Sequence, residues 1–168
     1  MKKLLYIILL LPMLAFGQTI NITNTGSAVQ IQSQNLIVNG DFSAWSGAAN
    51  PNNVPTGWTV ANNNATNYVE DATNACRFIS DGTNIQLFQD ILTVGKRYRA
   101  SINVTDVTAG QIRLYNNTTL LEISSTGIKT VDFTAGATTL YVLKLVTPCD
   151  ITFTNVKVSE YFPVQMGN

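Results

Sequence analysis

Apolar residues recur along this chain with a period of two, in short runs separated by turn-forming pairs. In "RYRASINV" the apolar set is Tyr98, Ala100, Ile102 and Val104, which leaves Arg97, Arg99, Ser101 and Asn103 on the other side. In "QIRLY" Ile112 and Leu114 point one way, and Gln111, Arg113 and Tyr115 the other. Side chains alternate between the two faces of a strand, so one apolar face predicts antiparallel strands that each bury one side. The same reading covers "NLIV", "GWTVA", "ACRFIS", "IQLFQDILTV", "GIKTVDFTA", "TTLYVLKLV" and "DITFTNVKVS". Breaks fall at Asn39-Gly40, Asp81-Gly82, Gly95, Ala109-Gly110, Asn116-Asn117, Gly136 and Thr147-Pro148, residues suited to turns. After the first residues no window has helical spacing. The pattern predicts an all-β protein, about nine short strands in an antiparallel sandwich.

The start of the chain follows a different rule. Lys2 and Lys3 precede an apolar run from Leu4 to Phe16, and Gly17 follows it. A basic start, a short apolar segment and a small residue predict a secretory signal peptide over residues 1–17, and hence a secreted, periplasmic or cell-surface protein. The run is too short for the ~20 residues of a membrane-spanning helix, so no membrane insertion is expected. Residues 18–34 are polar and read as a linker or an added edge strand, residues 35–162 as one domain, and residues 163–168 as a tail.

Without Lys2 and Lys3 eight basic side chains face ten acidic ones, a net charge of −2. Such a balance excludes an electrostatic nucleic-acid binder. Charged residues make up 12% of the chain, and Asn, Thr, Ser and Gln leave a neutral hydrogen-bonding surface that suits polyhydroxylated ligands and any secreted β-protein alike. There is no histidine, which removes the Ser-His and Cys-His nucleophile arrangements and the commonest zinc ligand. Cys76 and Cys149 admit two readings. A disulfide would restrict the unfolded chain by roughly 4 kcal/mol in the entropic model; separate buried thiols would act as small hydrophobes.

"LIVNGDFSAW", followed by "PTGWTV", resembles the opening of carbohydrate-binding-module domains of the galactose-binding-like jelly-roll superfamily, of the CenC type. "IQLFQDILTVGKRYRASINV" is similar to the Gln-bearing strand, glycine turn and Tyr-bearing strand of that family. "QIRLY" is similar to its cleft strand and "CDITFTNVKVSE" to its closing strand. The resemblance spans Asn35 to about Glu160 and implies a jelly-roll β-sandwich of about eight to nine strands. It also implies that Phe42 and Trp58 are core plugs. Two departures stand out: Ser43 replaces the usual Glu, and Thr154 replaces the closing-strand Asp. Many relatives hold a structural calcium with acidic oxygens near both chain ends; here Asp41 survives as a ligand candidate while the closing-strand Asp does not, and the reading that fits better is Asp41 capping its own turn.

The first functional expectation is a non-catalytic module whose partner is a polysaccharide or other glycan. Its candidate residues are Arg99, Asn103, Gln111, Arg113 and Tyr115, all assigned outward, with Tyr68 and Asn84 as further loop candidates. Trp45 lies in a loop among Ala44, Ser46 and Gly47, where it can stack on a sugar ring or fold over one end of the sandwich. The second is a structural or adhesive surface protein, or a phage virion decoration protein, with a surface or virion protein as its partner. Glycoside hydrolysis needs two carboxylates roughly 5–9 Å apart. Here Asp81, Asp106 and Asp150 lie at turns, Glu70 and Asp71 are sequence neighbours that point apart, and nothing pairs Glu122 with Asp132. No enzyme activity is expected.

Overall fold

The structure, a computed structural model, describes residues 21–24, 28–48 and 50–165; the leader expected over residues 1–17 lies outside them. Twelve strands form among these residues: β1 (Asn21–Asn24), β2 (Ala28–Gln32), β3 (Trp45–Ser46), β4 (Val54–Pro55), β5 (Thr59–Ala61), β6 (Asn67–Asp71), β7 (Cys76–Ser80), β8 (Gln86–Asp90), β9 (Arg97–Asn116), β10 (Thr118–Ile123), β11 (Gly127–Thr134) and β12 (Thr139–Gln165). Every pairing between them is antiparallel. The protein is an antiparallel jelly-roll β-sandwich. One layer runs β10, the second half of β9, the first half of β12, β8, β5. The other runs β11, the first half of β9, the middle of β12, β7, β6.

Two runs that the alternation divides are single strands. "RYRASINVTDV" and "QIRLYN" together make β9, and "TTLYVLKLV" and "DITFTNVKVS" together make β12. The two pair with each other from Tyr115↔Tyr141 to Tyr98↔Glu160, with register shifts between Lys144 and Ile151. The chain bends there, where Thr147, Pro148 and Cys149 have no partner on β9, and pairing resumes on either side. Gly110 makes the bend possible. It has φ +70°, and a Cβ at this position would stand 2.2 Å from the Pro148 carbonyl oxygen and 2.5 Å from that of Val146. In the other direction, "NLIV" is not a strand. It is held instead by Leu36 N–H donating to the Val158 carbonyl (2.7 Å) and by a paired amide contact with Gln89.

The core lies between the layers, where Phe42, Phe78, Leu87, Ile102, Ile112, Leu114, Val142, Ile151 and Phe153 are fully buried. Phe42 stacks on the buried Trp58 at 5.4 Å between ring centroids and meets Phe153 edge-on at 5.5 Å. Buried Gln89 substitutes for a strand residue: its Nε2 donates to the Val38 carbonyl (2.7 Å) and its Oε1 accepts from Val38 N–H (3.1 Å). Residues 28–32 pair with the far end of β12 from Tyr161↔Gln32 to Gln165↔Ala28, so β12 continues through the boundary drawn at Phe162.

Of the two cysteine readings, the structure has separate thiols in place of the disulfide. Cys76 faces Phe153 and Cys149 faces Ser80 on the paired strands β7 and β12. Four residues of strand separate them, on the order of 13 Å, well beyond the ~7 Å limit for a bridge. Burial pushes the Cys149 thiol up to about 12, with Asp150 adding to it. Burial also raises Cys76, helped by Asp71 and Glu70.

Three outcomes follow. Gly110→Ala should lower unfolding free energy by at least about 2 kcal/mol, seen as a lower denaturant midpoint, because it meets both a left-handed φ and two carbonyls. The native protein should show no thiol reactive toward Ellman's reagent and the unfolded protein two, with no change in Tm on adding reductant. Because the native thiols keep their protons where unfolded ones lose them, stability should fall as pH rises from the ordinary thiol value of 9.0 toward about 12.

Candidate functional site

The long strand β9 separates the five outward candidates into two groups. Arg99 and Asn103 precede its bend and lie on the outer face of the second layer, where β11 and the middle of β12 flank them. Gln111, Arg113 and Tyr115 follow the bend and lie on the outer face of the first layer. A single face holding all five is therefore corrected: the strand's alternation is continuous, but the strand belongs to two layers that expose opposite sides.

On the second layer, two of the arginines are closed by acids. Arg99 makes a bidentate pair with Asp132 (2.6 and 2.7 Å) and lies 4.9 Å from the Tyr161 ring centre. That bond raises the Arg99 guanidinium and holds the Asp132 carboxyl below its ordinary value. Arg77 likewise bridges Asp150 (2.7 Å) and Glu70 (2.8 Å). Asn103 lines a hollow of about 210 Å³ with Ser101, Ile128, Asn155 and Lys157. Tyr68 is a half-buried residue of β6, not of a loop, and Asn84 is exposed, its carbonyl accepting from Asn62 Nδ2 at 3.1 Å.

The first layer's outer face is different. Strand pairing sets Thr119, Tyr115, Tyr141, Phe88 and Thr59 side by side across five strands. The next row is Glu122, Arg113, Leu143, Gln86 and Ala61. Tyr115, Tyr141 and Phe88 form a continuous aromatic row, with centroids 6.2 Å apart (Tyr115 to Tyr141) and 5.1 Å apart (Tyr141 to Phe88). All three are half-buried although they face away from the core. The Arg113 guanidinium runs back toward this row, 5.2 Å from the Tyr115 ring centre, and its Nη1 donates to Thr119 Oγ1 at 3.3 Å. A ring row of this kind is suited to stack on flat apolar ligand surfaces, while amide and guanidinium groups beside it bond polar rims.

Sequence reasoning missed Tyr141, Phe88, Gln86 and Glu122. The signal for Tyr141 is present in "TLYV": with Leu140 and Val142 inward, Tyr141 must face out. Phe88 is harder, because Gln89 takes the buried position and the phenylalanine the outer one, opposite to polarity.

Trp45 folds over one end of the sandwich. Its Nε1 donates to the Phe42 carbonyl (2.8 Å), its ring lies 6.5 Å from that of Phe42, and it packs against the core. The indole N–H is thus already engaged. Asp41 caps its own turn, its Oδ1 accepting from Ser43 N–H (3.4 Å) and Ser43 Oγ (3.1 Å). Thr154 Oγ1 reaches the carbonyls of Asn74 (2.8 Å) and Asp41 (3.2 Å), at the position where the resemblance leads one to expect an acid. Among the described residues no three Asp, Glu, Cys or His side chains gather to hold a metal. Calcium takes six to eight oxygens and favours carboxylates, so the residues present do not fit it.

No protein-family model matches the chain, and no curated protein matches it. A solved structure described as "CBM4 structure and function" is similar at a TM-score of 0.45 and 20% identity, over 74% of this chain and 99% of that one. A likeness of that degree does not define a function, which has to come from the side chains themselves.

Adding calcium or a chelator should leave Tm within about 1 °C, since a bound ion at useful saturation would raise stability by several kcal/mol. Differential scanning fluorimetry reads this directly, and a large calcium-dependent rise would show a ligand set completed by other residues.

Proposed function

We propose that this chain is an exported, non-catalytic glycan-binding module of the CenC type that its sequence resembles. The ligand lies across the outer face of the first layer. One observation carries the reading: three half-buried aromatic side chains line up on the outside of a sheet whose other side is already the core. Aromatic residues on an outer face are costly to leave wet, and a sugar ring's apolar side is a natural cover for them. Tyr141, at the centre of the row, is the principal stacking ring. Gln86, Gln111 and Arg113 supply the hydrogen bonds, and the neutral, amide-rich surface suits hydroxyl-bearing chains.

The reading is tested on a glycan array and by titration calorimetry with whichever glycan binds. Tyr141→Ala should remove roughly 1.5–3 kcal/mol of binding, the value of burying a large apolar side chain, about ten- to a hundredfold in Kd. Its cost in stability should be near 1 kcal/mol, the scale of lost cross-strand contacts. Trp45→Ala should instead reduce stability and leave the affinity of the folded fraction unchanged. Absence of any glycan ligand for the wild-type protein would remove this reading in favour of a structural or adhesive role.

A further inference from the structure

We propose that the glycan taken by the aromatic face is acidic, a chain of uronic-acid residues whose carboxylate is received by Arg113. This rests on the glycan-binding reading and narrows it to a substrate class. The observation is the state of the Arg113 guanidinium. Arg77, Lys96 and Arg99 each have a carboxylate partner, whereas Arg97, Lys129, Lys144 and Lys157 form no salt bridge among the described residues. What sets Arg113 apart is that it is held against the aromatic row with a buried donor. It has no carboxylate partner among the described residues, although Glu122 stands opposite it in register and is exposed. Its guanidinium makes no salt bridge with Glu122 and lies against Tyr115, with one bond to Thr119. Its Nε is buried with no hydrogen-bond partner. Buried donors without acceptors are rare and carry a cost, so an Arg held in this way is preorganised for something other than its neighbours.

The position defines what it meets. The guanidinium sits at the Tyr115 end of the aromatic row, one ring beyond Tyr141. A sugar stacked on Tyr141 therefore presents the substituents of its neighbour to a cation, not to an open ring. Nη2 has no acceptor among the described residues and is not buried. A carboxylate is the acceptor that best matches a planar guanidinium, and charge-assisted bonds are about twice as strong as neutral ones. A hydroxyl would leave the cation without a counter-charge. Because the exported chain is itself net negative, loose attraction of any polyanion is not expected, and the charge selectivity belongs to this residue.

The test uses the full-length exported chain with polygalacturonate, polymannuronate and polyglucuronate, each compared with its methyl ester. The expected result is tighter binding of at least one free acid than of its ester, by about tenfold or more, as one charge-assisted contact gives, with the preference lost at high salt. Arg113→Gln should bring that ratio close to one. Arg113→Lys should recover part of it, and Lys157→Gln, the same charge change on the opposite face, should leave the ratio as in wild type. Melting curves identify any variant that fails to fold, and the wild-type acid-to-ester ratio decides the question without a variant. Equal binding of acid and ester, or binding of neutral glycans alone, overturns the acidic-ligand proposal and leaves the glycan-binding reading standing. Binding to no glycan of any kind overturns both.

Discussion

The pairing of β9 with β12 is the constraint on which the rest of the molecule depends. Two long antiparallel strands run through both layers of the sandwich, and both bend at the same level, beside Gly110 and Pro148. Every other strand of the two layers, except β5 and β6 at the edges, pairs with one of these two. The bend decides which side chains share a face. A strand that stayed in one layer would carry Arg99, Asn103, Arg113 and Tyr115 as one array; the bent strand sends the first two to one side of the molecule and the last two to the other. A glycine is needed there because no Cβ fits between the Val146 and Pro148 carbonyls, and the positive φ disfavours every other residue type.

The two outer faces then differ in how charge is treated. On the second layer Arg77 and Arg99 are closed by acids, which makes a self-contained surface of ion pairs. Exposed pairs of this type contribute little stability, and their main effect is to neutralise those two arginines. The first layer has the reverse character: aromatic rings outward, one cation against them, and no acid bonded to it. Two faces built from the same alternation thus present different chemistry, and the difference is visible only once the layers are known.

Much of the sandwich was legible in the sequence, because a period of two with turn pairs between runs has few alternatives. The register of "RYRASINV" and of "QIRLY" follows from alternation alone, and both match the buried sets Tyr98, Ala100, Ile102, Val104 and Ile112, Leu114. What alternation could not reveal was continuity. A Gly or Pro that ends one strand and a Gly or Pro that bends it look alike in one dimension. β6 was missed because only Val69 among its residues is a buried apolar one, the other inward position being Asn67, held by Ser80 and Asp81. β10 was missed because two of its three apolar residues, Leu120 and Leu121, are adjacent at a register shift. Of the candidate site, Arg113 and Tyr115 were within reach and their neighbours on β8 and β12 were not, since a sheet face joins residues far apart in the chain.

The turn at Asn39 has a consequence for how the protein can be altered. The Asn39 side-chain amide donates to the carbonyls of Ala44 (2.8 Å) and Thr56 (3.0 Å), and its oxygen accepts from Ala44 N–H (3.2 Å). Its own carbonyl accepts from the indole of Trp58 (3.1 Å). The base of the segment between Ala44 and Thr56 is therefore closed by the Asn39 side chain, by Thr56 N–H donating to the Ala44 carbonyl (2.9 Å) and by the pairing of β3 with β4. Closure entropy grows slowly with loop length, so a base fixed in this way tolerates insertion between Ser46 and Val54 at little cost. The same clamp that anchors Phe42 and Trp58 in the core makes the adjoining loop a graft site, where a foreign peptide gives up, among the described residues, only the bonds of Asn50 to Glu70 and of Asn63 to the Pro51 carbonyl.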